Sequence, residues 1–160
     1  MSDLRVGIGV DAHAFSSEAT LVLGGVEIRG EAGLAGHSDG DVVAHALVDA
    51  VLGAAGLGDI GSFFPSDEAE WEGASSLLFL ERAMATVRGA GYELVNADCV
   101  LVGERPRIAP VRAEMETRLA AALGVDAGSV SVRATTTDGL GFTGRGEGLA
   151  AQAVALLRRA

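Results

Sequence analysis

A chain of 160 residues, 49% of them hydrophobic, is long enough to bury an ordinary core, which excludes a disordered segment. Its formal charge of −10 argues against nucleic acid or an acidic membrane as partner, and no apolar run reaches the roughly 18–20 residues of a membrane helix. The opening MSDLRV lacks a basic patch followed by an apolar stretch, and the single cysteine, Cys99, excludes a disulfide within the chain; both fit a cytoplasmic protein with a plain buried thiol.

In chain order, Leu4 to Val10 is glycine-rich and apolar and predicts a buried strand. Thr20 to Arg29 predicts two short strands around Gly24-Gly25, a hairpin signal. Residues 30–41 form a glycine-rich loop ending in capping residues, and Asp41 to Leu57 has helical periodicity. Ser66 to Ser76 is polar and acidic and predicts an exposed loop, with Ser75 or Ser76 capping a helix that runs to about Gly89. Tyr92 to Val102 alternates like a strand. ERPRIAP is a proline-stiffened loop, and Pro110 stands at the start of a helix ending at Leu123-Gly124. Val130 to Ala134 is a short strand. The last segment, EGLAAQAVALLRRA, is helical by composition, but Leu149, Ala151, Ala153, Ala155 and Leu157 keep a period of two and favour a strand. The sum is a single domain over 1–160 of the α/β class: a two-layer sandwich, a mixed β-sheet with helices on one face. A sheet covered on one face only needs a partner for the other, hence a homo-oligomer.

Polar residues concentrate in a few of these segments. Asp11 and His13 stand at i and i+2 where the first strand ends, so their side chains project to one side of the sheet. Asp41, His45 and Asp49 share a helix face at i, i+4 and i+8; alone, such a stripe reads as a solvated face, and His13 alone as a satisfied structural histidine. Taken together, Asp11, His13 and His45 make a three-ligand set of the kind that leaves a fourth zinc position open, provided the fold joins them. In His37-Ser38-Asp39-Gly40-Asp41, either Ser38 or Asp39 can cap the helix, whose free N–H groups could hold an anion. RATTTDGLGFTGRGEG (133–148) is either a long turn or a phosphate pocket of hydroxyls and backbone N–H groups, with Asp138 a possible ligand for Mg²⁺ or Mn²⁺. Asp59 could bind ribose hydroxyls or form an Asx-turn.

Read together, VDAHAF, GHSDGDVVAHALVDAVLGAAGLGDIG, FFP and RATTTDGLGFTGRGEG resemble the 2-C-methyl-D-erythritol 2,4-cyclodiphosphate synthase family over essentially the whole chain, in order. The resemblance implies a homotrimer with active sites at subunit interfaces. It also implies a reaction of non-mevalonate isoprenoid biosynthesis, in which the 2-phosphate of 4-diphosphocytidyl-2-C-methyl-D-erythritol 2-phosphate attacks the β-phosphorus of its diphosphate and CMP leaves. Carried over, Zn²⁺ falls on Asp11, His13 and His45, and a second cation, Mg²⁺ or Mn²⁺, on Asp138. Catalytic roles fall on His37, Thr136 and Asp138. Substrate contacts fall on Asp11, His13, His37, Ser38, Asp59, Ile60, Gly61, Phe64, Arg107, Thr135, Thr136, Thr137 and Asp138, with loop 103–109 around the cytosine. Phe142, Arg145 and Glu147 match positions lining the trimer's central cavity, where an isoprenoid diphosphate sits in some members. The chain departs from the pattern at Asp138 for the usual Glu, Ser66 for the usual Asp and Arg107 for the usual Lys. Two rival readings use the same residues: a metal-dependent hydrolase with water as nucleophile, and a non-catalytic nucleotide- or metal-binding module.

Overall fold

The computed structural model describes residues 3–160. The first strand, β1 (Leu4–Ser16), runs well past the glycine-rich stretch, so Asp11 and His13 lie inside it and not beyond its end. Pairing explains the extra length. Leu4 to Ala14 pair antiparallel with the C-terminal strand β7 (Gly148–Arg159), and Phe15 and Ser16 pair with the two-residue β4 (Gly33–Leu34). The predicted hairpin forms as β2 (Leu21–Leu23) and β3 (Val26–Ile28), joined by Gly24 and Gly25, both at positive φ as a tight two-residue turn requires.

The main sheet has the order β4-β1-β7-β5-β6, adding β5 (Tyr92–Val102) and β6 (Val130–Thr135). Only β5 and β6 are parallel, and helix α4 (Arg112–Leu123) makes the crossover such a pair needs. This helix begins two residues after Pro110, which therefore precedes it and does not open it. The C-terminal segment is a strand, and a central one. Its period-two residues Leu149, Ala151, Ala153, Ala155 and Leu157 are all buried on the helix side. In β5 the alternation changes phase at a bulge between Leu94 and Asn96: Tyr92 and Leu94 face the core before it, Ala97, Cys99 and Leu101 after it.

Helices α1 (Val42–Ala55), α3 (Ser76–Gly89) and α4 pack over one face of the sheet. From Val42 to Leu52 every residue of α1 except Asp49 is buried, because the helix is wedged between β1, β7 and α3. The expected solvated stripe on α1 is thus overturned. Asp41 and His45 are buried, and only Asp49 keeps partial exposure. The α1 cap is neither Ser38 nor Asp39 but Asp41, whose carboxylate accepts from Ala44 N at 3.1 Å and also from Gly24 N and Gly25 N at 2.9 and 2.7 Å. One carboxylate therefore starts the helix and fastens the hairpin turn to it. The stretch 66–76 is mostly exposed, but a short 3₁₀ turn at Ala69–Trp71 buries the Trp71 ring against Phe64 and Phe79.

The opposite sheet face carries no helix, and Val6 (71%), Ile8 (59%) and Val10 (62%) of β1 are exposed there beside Val154 of β7. Toward the helices the alternate residues of β1 begin with glycines. A Cβ on Gly9 would lie 1.8 Å from the Ala46 carbonyl oxygen, and one on Gly7 would lie 2.0 Å from that of Ala50. Strand and helix touch backbone to backbone. Gly9→Ala should therefore lower stability by about 1–3 kcal/mol or more through overpacking, read as a shift in urea midpoint. Gly53→Ala on the exposed side of α1, where a Cβ meets only the Ile8 carbonyl at 3.9 Å, should be neutral or stabilise by about 0.5–1 kcal/mol.

Candidate metal and substrate site

Asp11 and His13 point from β1 toward the helix layer, and His45, one turn into α1, points back at them. Asp11 Oδ2 lies 2.7 Å from His13 Nε2 and 3.1 Å from His45 Nδ1, and the two imidazole nitrogens are 3.3 Å apart. The three residues are the one group of three or more His, Cys, Asp or Glu side chains among the described residues whose ligand atoms all lie within 4.8 Å of one another. A tetrahedral ion with bonds of about 2.05 Å separates its ligand atoms by about 3.3 Å. The donor set, two imidazoles and one carboxylate, fits Zn²⁺ in chemistry, and the His45 separations of 3.1 and 3.3 Å match that spacing, while Asp11 and His13 stand closer, at hydrogen-bond distance.

Burial works to raise the Asp11 carboxyl, but hydrogen bonds and charge interactions with His13 and His45 outweigh it and hold the group down at about 2. His13 is shifted upward, chiefly by its hydrogen bond with Asp11. An ionised carboxylate and two imidazoles thus converge on one point. The third member of the α1 stripe, Asp49, accepts from Ile60 N at 2.8 Å, so the helix that supplies His45 also fixes the start of α2 (Ile60–Phe63).

Asp11, His13 and His45 open onto a cavity of about 220 Å³ whose walls include His37, Ser38, Ile60, Gly61 and Phe64. His37 Nε2 lies 2.9 Å from the Glu68 carbonyl oxygen, and Ser38 Oγ lies 3.0 Å from His45 Nε2. Asp59 is not part of this wall. It caps α2, accepting from Ser62 N and Ser62 Oγ at 2.9 and 2.8 Å. Sequence reasoning missed the cavity's aromatic floor: Phe79 stacks on Phe64 with centroids 4.4 Å apart and lies beneath His45, and Trp71 meets both Phe rings edge-on. No local pattern signals it, because the three rings come from separate elements.

The remaining candidates lie elsewhere. Asp11 pairs across to Ala151, Ala151 to Leu101, and Leu101 to Ala134. Three strand spacings of about 4.8 Å, roughly 14 Å in all, therefore separate the metal set from the end of β6. Thr135 is that end and Thr136, Thr137 and Asp138 follow it, all but the partly buried Thr137 exposed, with Thr136 Oγ1 donating to Asp138 Oδ1 at 3.1 Å. Asp138 is a non-glycine residue at positive φ (52°) among the described residues, a conformation Asp tolerates in such turns. Beside this turn runs the loop 103–109, tied to it by Gly103 N donating to the Thr135 carbonyl at 3.0 Å; Ile108 is buried and Arg107 exposed. After the turn, α5 (Gly141–Gly144) exposes Phe142, and Arg145 pairs with Glu147 at 3.2 Å. Both polar clusters lie at the same end of the sheet, since β1, β5 and β6 all run in one direction. One chain thus presents two polar clusters on opposite flanks of its sheet.

Comparison with known proteins places the chain in a family. The YgbB family model matches residues 4–158. The 2-C-methyl-D-erythritol 2,4-cyclodiphosphate synthase of Rubrobacter xylanophilus is 58% identical, covering 100% of this chain and 98% of its own. Among solved structures, the bifunctional IspDF of Campylobacter jejuni superposes with a TM-score of 0.96 at 40% identity, covering 100% of this chain, which spans 43% of that one. IspF of Plasmodium falciparum, in complex with CDP, superposes at 0.84 with 32% identity, covering 98% of this chain and 96% of its own. The chain belongs to the YgbB family, that of the 2-C-methyl-D-erythritol 2,4-cyclodiphosphate synthases.

Proposed function

We propose that the chain, a single domain over 1–160, is a phosphorus–oxygen lyase. It converts 4-diphosphocytidyl-2-C-methyl-D-erythritol 2-phosphate to 2-C-methyl-D-erythritol 2,4-cyclodiphosphate and CMP, in isoprenoid precursor synthesis in the cytoplasm. The observation that carries the reading is the convergence of Asp11, His13 and His45, with one ligand atom from each within 4.8 Å of the others, beside a cavity. Family membership and the CDP held by the Plasmodium falciparum protein support it.

In this reading Asp11, His13 and His45 hold Zn²⁺, and Asp138 holds Mg²⁺ or Mn²⁺. When bound, the two cations neutralise and align phosphates that like charge would otherwise drive apart. That is a heavy demand on a chain whose own charge is −10. His37 and Ser38 contact the diphosphate and erythritol from the cavity wall, and Asp59, Ile60, Gly61 and Phe64 position the sugar portions. Thr135, Thr136 and Thr137 bind phosphate oxygens, Thr136 at the reacting group, while Arg107 and the loop around it enclose the cytidine. The 2-phosphate oxygen forms a bond to the β-phosphorus as the bond from that phosphorus to the bridging oxygen breaks, and CMP departs with the electron pair. No side-chain nucleophile is required.

With roughly 14 Å between the two clusters within one chain, a neighbouring subunit would complete the site, and the family resemblance makes the assembly a homotrimer in which the β6 turn of one subunit faces the metal set of the next. The exposed Val6, Ile8 and Val10 supply an apolar face for that contact. Phe142, Arg145 and Glu147 then line a central cavity suited to an isoprenoid diphosphate.

Incubation with the cytidine substrate separates this reading from a hydrolase: cyclic product with CMP supports it, and linear hydrolysis products overturn it. His45→Ala should lose bound zinc and lower kcat/KM at least a hundredfold, since loss of an outer-shell partner alone costs about 10–100-fold, while the circular dichroism spectrum persists. Asp138→Glu should keep or raise turnover if the shorter acid is a tolerated variant, and a steady-state assay reads the outcome directly.

A further inference from the structure

The loop 103–109 is held firmly at its two ends and lightly between them. Gly103 N donates to the Thr135 carbonyl, and at the far end Ile108 is buried, its carbonyl accepting from Val111 N at 2.9 Å. Between these anchors Glu104, Arg105 and Arg107 are exposed, and the loop borders a cavity of about 340 Å³ whose walls include Phe15, Glu31 and Thr143. Glu104 meets Gly139 N only at 3.5 Å, long for a hydrogen bond. The close tie is an ion pair: Arg105 Nη2 lies 2.9 Å from Oε2 of Glu31, 74 residues away in sequence. Glu31 precedes β4, the edge strand separated from β5 by β1 and β7, so this pair reaches over the end of the sheet.

The two partners are unequal. The Glu31 side chain is 26% exposed, against 74% for Arg105. Glu31 stands two residues before Gly33, which donates to the Ala19 carbonyl at 3.1 Å and pairs with Ser16 of β1. A Cβ on Gly33 would lie 2.2 Å from that carbonyl oxygen, so the backbone next to Glu31 is seated tightly against its neighbour. The carboxylate is therefore the anchor, and the guanidinium of the loop is what it holds. We infer that Glu31 is a positioning residue: through Arg105 it keeps the loop 103–109 in the shape that receives the cytidine. An exposed ion pair adds little to global stability. This one acts on a stretch with few other ties, so its effect is local.

This inference rests on the proposed role of that loop and is tested separately from it. Three measurements on the full chain read it: steady-state kinetics with the cytidine substrate, titration with CDP, and backbone nitrogen-15 order parameters of residues 104–107 without ligand. Glu31→Ala should raise KM and weaken CDP binding by about two- to fivefold, the range an exposed ion pair supports. It should also lower the loop order parameters, with kcat and the urea midpoint little changed. Glu31→Gln, which removes the charge but keeps the shape, should behave alike. Exchanging the partners, Glu31→Arg with Arg105→Glu, should restore KM, CDP affinity and loop order. Glu114→Ala, which breaks an exposed pair with Arg118 on α4, should move none of them. A wild-type chain that binds no CDP and forms no cyclic product would overturn the functional reading, and this inference with it. If the wild type does both, three results overturn the inference alone: wild-type KM in Glu31→Ala, a raised KM with loop order unchanged, or no recovery on exchange.

Discussion

Because the Cβ position of Gly9 falls 1.8 Å from the Ala46 carbonyl oxygen, β1 and α1 meet with no side chain between them, and His45, one residue earlier on α1, comes within reach of Asp11 and His13. Everything else in the site follows from that contact. The same strand residues that would separate sheet from helix, were they alanine or larger, are replaced two positions later by the ligands themselves. The alternation Gly7, Gly9, Asp11, His13 along one side of β1 is thus a graded series, from closest packing at one end to open chemistry at the other.

Around this contact, one buried and two partly buried carboxylates hold the loops in register. Asp41 ties the hairpin turn to the start of α1, Asp39 ties the preceding loop to the start of α3, and Asp49 ties α1 to α2. Burial pushes the Asp41 carboxyl up to about 6, against the backbone N–H groups that favour its ionised form. Three acids within nine residues of His45 therefore act through backbone N–H groups and not through solvent.

Much of the fold was legible because strands write themselves with a period of two. Tyr92 to Val102 and the C-terminal Leu149–Leu157 set stand out by that period, and Gly24-Gly25 announces its turn. The α1 cap was not legible: Ser38, Asp39 and Asp41 are equally good capping residues in sequence, and only the path of the loop decides that Asp41 caps α1 while Asp39 is drawn away to α3. Trp71 was hidden in an acidic stretch, since its burial depends on Phe64 and Phe79 from two other elements. Of the site, the same-side projection of Asp11 and His13 followed from strand geometry, whereas their meeting with His45 came from the family resemblance and was left open by spacing. The distance from there to Thr136 and Asp138 depends on strand order, which no local pattern encodes.

That strand order has a genetic corollary. With the metal set on one flank of the sheet and the Thr136–Asp138 turn about three strands away on the other, a lesion in either flank spoils a different part of each shared site in the proposed assembly. A chain defective only at His45 and another defective only at Asp138, neither competent alone, would restore some intact sites when co-assembled. Such interallelic complementation is available to a protein whose working surface is split between neighbours, and closed to one that completes its chemistry within a single subunit.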